Sequence, residues 1–160
     1  MPGWIYCFIL NRFMENINVL IEEIAQTAFD NIPSENWVKA VVNIAMLTTY
    51  NETTGEYFTG ENGKGVSFDP NYPDAPKDKI IDRLFIRLRE EMYAQTPGKG
   101  AWYNARLTVT EDGDFEITYD YDNKPIFEMI PDDEEYIIDT KEFPRDQAST
   151  PEWLSKIING

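Results

Sequence analysis

Two short stretches in the second half of the chain alternate strictly between apolar and polar residues. Their apolar positions are Tyr103, Ala105, Leu107, Val109, Phe115, Ile117, Tyr119 and Tyr121. A period of two is typical of strands with one buried face. Residues 111–113, Glu-Asp-Gly, predict a hairpin with a three-residue loop in which Gly113 takes the left-handed conformation. Keeping the apolar residues on one face places Val109 opposite Phe115 and Leu107 opposite Ile117.

Apolar residues at helical spacing predict three helices. The first covers Glu15–Asn31 and ends before Pro33, and the second covers Lys77–Gln95. A third, short helix is predicted at the C terminus. Its start is indicated by Ser149–Glu152, where a Ser/Thr cap, a proline and a glutamate form a capping box.

The remaining patterned segments predict two more strands. Trp37–Tyr50 is rich in β-branched and aromatic residues, and Glu56–Phe68 is a second strand interrupted by glycines. Between them, Asn51–Gly55 is interpreted as a turn. Residues 136–138 fit either a strand or a helical turn. The resulting order, α-β-β-α-β-β-α, predicts an α+β fold with an antiparallel sheet of about four or more strands and helices packed on one face.

The chain is expected to form a single domain over residues 14–160, preceded by an apolar N-terminal extension over residues 1–13. The apolar run Trp4–Leu10 is too short to span a bilayer, and no basic region precedes it as in a signal peptide. The extension is interpreted as the product of an upstream start codon or as a poorly ordered segment; the alternative is an extra edge strand. A cytoplasmic location is expected.

The composition restricts the chemistry that the chain can perform. It has no histidine, so the usual general base and the commonest transition-metal ligand are missing. Its one cysteine, Cys7, can form neither an internal disulfide nor a CxxC site. We therefore expect no enzymatic activity, no metal and no cofactor.

A polar face is predicted on the strand pair, opposite its apolar residues. It combines three carboxylates with two other polar side chains and one aromatic: Glu116, Asp120, Asp122, Asn104, Arg106 and Trp102. Carboxylates two residues apart can also serve as a metal or catalytic pair, but a solvated strand face is favoured. Trp102 suits a binding hot spot amid polar groups; the alternative is that the C-terminal segment covers it.

Negative charge is concentrated towards the C terminus. The chain has 29 acidic and 14 basic residues, for a net charge of -15. From Glu111 onwards there are fifteen acidic and four basic residues, which accounts for -11 of that total. The acidic segment 126–160 contains the run Asp132, Asp133, Glu134 and Glu135, interpreted either as a solvated loop or as an anionic finger for a cationic partner. Such a charge repels nucleic acid and anionic membranes, although it also serves solubility.

Residues 102–122 resemble the signature of YezG-like immunity proteins. The shared features are an aromatic-led strand, an Asp-Gly turn and a strand ending F-x-I-x-Y-D-Y over Phe115–Tyr121. Ile32-Pro33 followed by Trp37 and Lys39 after an amphipathic helix is also similar, so the resemblance covers roughly residues 15–125. It implies an antitoxin that binds a secreted polymorphic toxin, often a nuclease, inside the producing cell. The N-terminal extension and the acidic C-terminal segment depart from the pattern and leave the toxin unidentified.

The expected function is therefore that of an immunity protein, which occludes the active site or substrate groove of a cognate, cationic toxin. Its candidate partner-binding residues are those of the polar face and the acidic run. An acidic nucleic-acid mimic or regulator of another nucleic-acid-binding protein is the alternative. An enzyme with a carboxylate pair is a third hypothesis.

Overall fold

The described residues form four α-helices and five strands. A computed structural model describes residues 3–60, 62–71 and 76–160, without the side chains of residues 3–14 and of Asp78. The helices are α1 (Gly3–Asp30), α2 (Ile81–Gln95), α3 (Asp133–Glu142) and α4 (Glu152–Asn159). The strands are β1 (Lys39–Met46), β2 (Asn51–Phe58), β3 (Gly65–Phe68), β4 (Asn104–Thr110) and β5 (Phe115–Asp120). Short 3-10 turns lie at Lys77–Lys79 and Gln147–Ser149.

The strands form one antiparallel sheet in the order β3-β2-β1-β4-β5. The α+β class and the antiparallel sheet are confirmed. The order of elements differs from the predicted one in two places. Gly65–Phe68 pairs as a separate strand, and residues 136–138 belong to a helix, so two helices follow the last strand.

The main core lies between the sheet and helices α1 and α2. Alternate residues of β1 point towards the helices, and Val42 pairs there with Leu107 of β4. Leu107 in turn pairs with Ile117, and Val109 pairs with Phe115, as the alternation predicts. From the helices, Ile24, Leu84, Phe85 and Leu88 enter this core without solvent exposure.

The prediction of a turn at Asn51–Gly55 is wrong. These residues begin β2, and the turn lies one segment earlier, where the Leu47 N–H donates to the Tyr50 carbonyl at 2.7 Å. Pairing with all eight residues of β1 stabilises the extended conformation despite the turn-like composition. Gly55 is needed within the strand, because a Cβ there would lie 2.8 Å from the Phe68 carbonyl oxygen of β3.

The β4–β5 hairpin has the predicted loop. The Thr110 N–H donates to the Asp114 carbonyl at 2.9 Å, so residues 111–113 form the loop between the strands. Gly113 has a φ of 86°, in the left-handed region. The hairpin therefore extends β1 on the side opposite β2, with its polar face turned away from α1 and α2.

The C-terminal segment builds a second, smaller core at one end of the sheet. Tyr136 of α3 and Leu154 of α4 pack there with Tyr103 and Phe127. The prediction of a capping box at Ser149–Glu152 is wrong, because α4 begins at Glu152 after Pro151, without a side-chain cap. Ser149 belongs to the preceding 3-10 turn, where its N–H donates to the Asp146 carboxylate at 2.8 Å.

Helix α1 is longer than the amphipathic pattern indicates. Its side chains are described from Glu15 onwards, and its buried residues there include Leu20, Ile24 and Ala28. The side chains of the predicted N-terminal extension, residues 1–13, lie outside the described part of the structure. Its backbone is described from Gly3 onwards and is helical. The alternative of an edge strand does not match that helical backbone.

Candidate protein-binding surface

The face of the sheet that α1 and α2 leave uncovered carries polar side chains across its central strands. Arg106 of β4 lies opposite Asn43 of β1 on one side and Thr118 of β5 on the other, and all three are exposed. Asn104 is half-buried next to Asp120, and the exposed Glu116 lies further along β5. The predicted polar face is therefore confirmed for Asn104, Arg106, Glu116 and Asp120.

Arg106 lies in a shallow depression of this face. Side chains of Glu52, Thr54, Asn104 and Ile126 also line it. Among the residues that the structure describes, none forms an ion pair with Arg106. A guanidinium with all its donors available can bind a carboxylate or a row of carbonyl groups of a partner.

Asp120 ends β5 and organises the chain that follows it. Its Oδ1 accepts hydrogen bonds at 3.0 Å from the N–H groups of Asp122 and Asn123, and its Oδ2 accepts one at 2.8 Å from the Asn123 side chain. Partial burial opposes ionisation of Asp120, but the hydrogen bonds from Asn123 and Asp122 outweigh it and lower the pKa of this carboxyl. Asp120 is thus a turn-forming residue whose oxygens are largely occupied, and the exposed Asp122 follows it off the sheet.

The placement of Trp102 on the polar face is wrong. Its side chain is fully buried in the main core, where its ring lies 6.1 Å from that of Phe85 and 5.8 Å from that of Tyr119. The alternation ends because β4 starts only at Asn104 and the backbone bends at Tyr103. Trp102 therefore turns towards the helices, and it is neither an exposed hot spot nor a residue covered by the C-terminal segment.

The acidic run Asp132–Glu135 is not a loop or a free finger but the start of a helix. Asp132 precedes the first turn of α3, and Asp133, Glu134 and Glu135 lie within that turn. Negative side chains there complement the positive end of the helix dipole. Glu135 also accepts a hydrogen bond from the Thr49 hydroxyl of the β1–β2 turn. The other three carboxylates remain exposed and add negative charge beside the second core.

Residues 125–131, which we call the strap, form a feature that the sequence analysis does not identify. The Glu52 carboxylate of β2 accepts hydrogen bonds from the N–H of Glu128 at 2.7 Å and from that of Met129 at 3.0 Å. The Tyr50 hydroxyl donates to Glu52 at 2.7 Å and lies 3.0 Å from the Met129 carbonyl oxygen. The signal in the sequence is a segment bounded by two prolines whose aliphatic residues follow neither a helical nor a strand period.

The bonds in the strap also affect the ionisation of Glu52. Partial desolvation alone would raise the pKa of this carboxyl. The N–H groups of Met129 and Glu128 and the Tyr50 hydroxyl outweigh that cause, and the pKa lies below its ordinary value of 4.5.

A buried ion pair fixes the C-terminal segment to the main core. Arg89 of α2 and Asp139 of α3 are joined by two hydrogen bonds of 2.7 and 2.9 Å, and both side chains are almost completely buried. Arg89 Nε also donates to the Trp102 carbonyl at 2.7 Å, and the Thr48 hydroxyl donates to Asp139 at 2.9 Å. In the sequence, Arg89 follows Phe85 by four residues on the apolar stripe of α2, which could have indicated its burial.

The described part of the chain contains no cluster of three or more side chains suited to holding a metal ion. The carboxylates of Glu116 and Asp120 on β5 and of Asp122 beyond its end accordingly form no such cluster. Of the helices described, none is long and apolar enough to cross a membrane.

The chain matches no protein-family model, and a search of curated proteins found no match.

Proposed function

We propose that this protein is an immunity protein that binds a cognate protein toxin and neutralises it by covering its active site or substrate groove. The observation that carries the proposal is the uncovered face of the sheet around Arg106. The five-stranded sheet has its main core on one face and the second core only at one end, which leaves a polar surface of paired strands around Arg106 available to a partner. Around Arg106, Asn43 and Thr118 supply further donors and acceptors in fixed positions.

The negative net charge of the protein supports the proposal that its partner is basic. The protein carries a net charge of -15, of which -11 lies from Glu111 onwards, in the hairpin loop, β5 and the C-terminal segment. A nuclease toxin must present a cationic groove to hold phosphates, and an acidic protein is drawn to such a groove. The resemblance of residues 102–122 to YezG-like immunity proteins supports the same function. Those residues form the hairpin of the proposed surface.

A second candidate function follows from the same charge. A protein that mimics the phosphates of nucleic acid would bind the nucleic-acid groove of a regulator inside the cell, without any toxin. The two candidates differ in the partner: the first requires the toxin domain encoded beside this protein's gene, and the second a nucleic-acid-binding protein of the host.

The decisive experiment expresses the C-terminal domain of the neighbouring secreted protein with and without this chain. We expect co-expression to restore growth and the two proteins to copurify as a stable complex. Arg106→Glu should weaken rescue, whereas Arg83→Glu, an exposed arginine on α2 at the other side of the sheet, should not. Equal killing with and without the unaltered protein would refute the toxin proposal.

A further inference from the structure

Three large aliphatic side chains of the strap lie in solvent. Ile126 is 91%, Met129 74% and Ile130 85% exposed, the highest values among the exposed large hydrophobic residues of the described chain. Single exposed apolar residues are common on protein surfaces, but several close together mark a site of interaction. These three lie within five consecutive residues.

The strap is held in place although these side chains are exposed. Its backbone N–H groups bind the Glu52 carboxylate, and Phe127 is buried with its ring 5.0 Å from that of Tyr50. Pro125 is buried as well. The backbone is therefore anchored at the sheet while the side chains of Ile126, Met129 and Ile130 remain exposed. Groups fixed before binding lose less conformational entropy when a partner covers them.

The negative charge around the strap favours a basic protein as the partner. Between residues 120 and 135 there are seven acidic residues and one basic residue. That basic residue, Lys124, lies over the rings of Tyr136 and Trp153, at 5.2 and 6.0 Å from their centroids. A second copy of this chain, which also carries -15, is repelled, as are nucleic acid and anionic lipid. A basic protein surface is attracted.

The strap also adjoins the surface already described. Ile126 lines the same depression as Arg106, so the strap borders the uncovered sheet face at this residue. We infer that the strap is the hydrophobic anchor of the complex, and that Ile126, Met129 and Ile130 enter an apolar recess in a cationic protein partner. This inference rests on the proposed function, and it names the part of the surface that holds the complex together.

The test is a triple variant, Ile126→Ser/Met129→Ser/Ile130→Ser, measured for binding to the C-terminal domain of the neighbouring secreted protein. Because the three side chains are exposed, the variant should fold and unfold like the unaltered protein. Its complex should be weaker by roughly 100-fold or more, mostly through faster dissociation. The matched control is Val19→Ser/Val66→Ser, which removes two exposed aliphatic side chains from α1 and β3 and should leave binding unchanged.

A second measurement uses the unaltered protein. Met129 should be oxidised readily by hydrogen peroxide in the free protein and protected in the complex, while the buried Met46 resists in both. Protection of Met129 together with loss of binding in the triple variant supports the anchor.

Each contrary result has its own meaning. If the triple variant binds the partner as tightly as the unaltered protein does, the strap is not the anchor, and the proposed immunity function is unaffected. Absence of binding by the unaltered protein refutes the function and the anchor with it. A dimer of this chain that the triple variant abolishes would show that a second copy covers the strap, which also overturns the inference.

Discussion

Arg89 on α2 and Asp139 on α3 form a bidentate ion pair in the interior, 50 residues apart in the chain. The guanidinium also donates to the carbonyl of Trp102, where the chain enters the hairpin of the candidate surface. One charged group thus joins the main core, the start of the hairpin and the C-terminal helices. The position of the acidic segment relative to the sheet depends on it.

Removing one member of this pair should be strongly destabilising. Asp139→Ala leaves a buried guanidinium without its counter-charge, and we expect a loss of about 3–5 kcal/mol in the free energy of unfolding. The double variant Arg89→Met/Asp139→Leu should lose less than the sum of its single variants Arg89→Met and Asp139→Leu, because it leaves no unpaired charge. Urea unfolding measures the free energy of unfolding of each of these variants. Glu142→Ala, at an exposed site on the same helix, is the control and should change stability by less than about 0.5 kcal/mol. A similarly small effect of Asp139→Ala would contradict the role of the pair.

Leu107 tests the register of the hairpin. It is fully buried between Val42 and Ile117, so Leu107→Ala should cost about 2–5 kcal/mol through lost burial and the cavity left behind. The next residue, Thr108, points to the uncovered face, and Thr108→Ala should cost less than about 1 kcal/mol. Equal losses for the two variants, measured by thermal or urea unfolding, would show that the faces are assigned wrongly.

The Arg89–Asp139 ion pair and the Leu107 position show which contacts can and cannot be predicted from the sequence. Leu107 and Ile117 belong to a local alternation, and because a shift by one residue would expose the whole apolar face, their register follows from the sequence alone. The partners of Arg89 and Glu52 lie 50 and 76 residues away in the chain, and no local pattern encodes such contacts.

The prediction that Trp102 lies on the polar face is wrong for a related reason. The direction of its side chain is set by a bend at Tyr103, where the alternation ends. Asn51–Gly55 has the composition of a turn, but pairing with β1 determines its conformation.

Gly113 tests the backbone of the hairpin loop. A Cβ at this site would meet no atom within 4 Å, so the cost of Gly113→Ala comes from the positive φ of 86° alone. We expect a loss of about 1–2 kcal/mol, and a smaller loss for Gly113→Asn, since asparagine tolerates the left-handed region better. Gly60 also has open space but no positive φ, and Gly60→Ala should stabilise the protein by about 0.4–1 kcal/mol. Destabilisation by both alanine variants to the same extent would contradict this account.

Acid should release the strap. The folded protein holds the pKa of Glu52 below its ordinary value of 4.5, so the carboxylate stabilises the fold at pH values above that value. This contribution is lost as the pH falls through the lowered pKa, when protonation weakens the bonds from Glu128 and Met129. The amide proton shifts of these two residues should titrate with a midpoint below 4.5, as measured by NMR. In Glu52→Gln the same amides should show no such titration, whereas Asp120→Asn should leave it intact. A midpoint at or above the ordinary value would refute the anchoring by Glu52.

The acidic residues at the start of α3 should affect the rate of association with the partner more than the rate of dissociation. Asp132, Asp133 and Glu134 are exposed, and charges of this kind attract a basic surface over distance while their individual ion pairs are weak. Replacing these three and Glu135 by their amides should slow association with the proposed toxin partner and flatten its dependence on salt, with little change in dissociation. The fold should survive, since each acid at a helix start contributes only about 0.3–1 kcal/mol.

A control with the same net charge separates local from global attraction. Both the variant of the acidic run and a variant with Glu22, Glu35, Glu90 and Glu91 replaced by glutamine change the charge from -15 to -11. If the run acts locally, only the first variant slows association strongly in stopped-flow measurements at low salt. The difference should disappear in concentrated salt, because the screening length falls from roughly 10 Å at 0.1 M to roughly 3 Å at 1 M. Equal slowing by both variants would assign the attraction to the total charge, and rates independent of salt would remove electrostatic steering from the proposal.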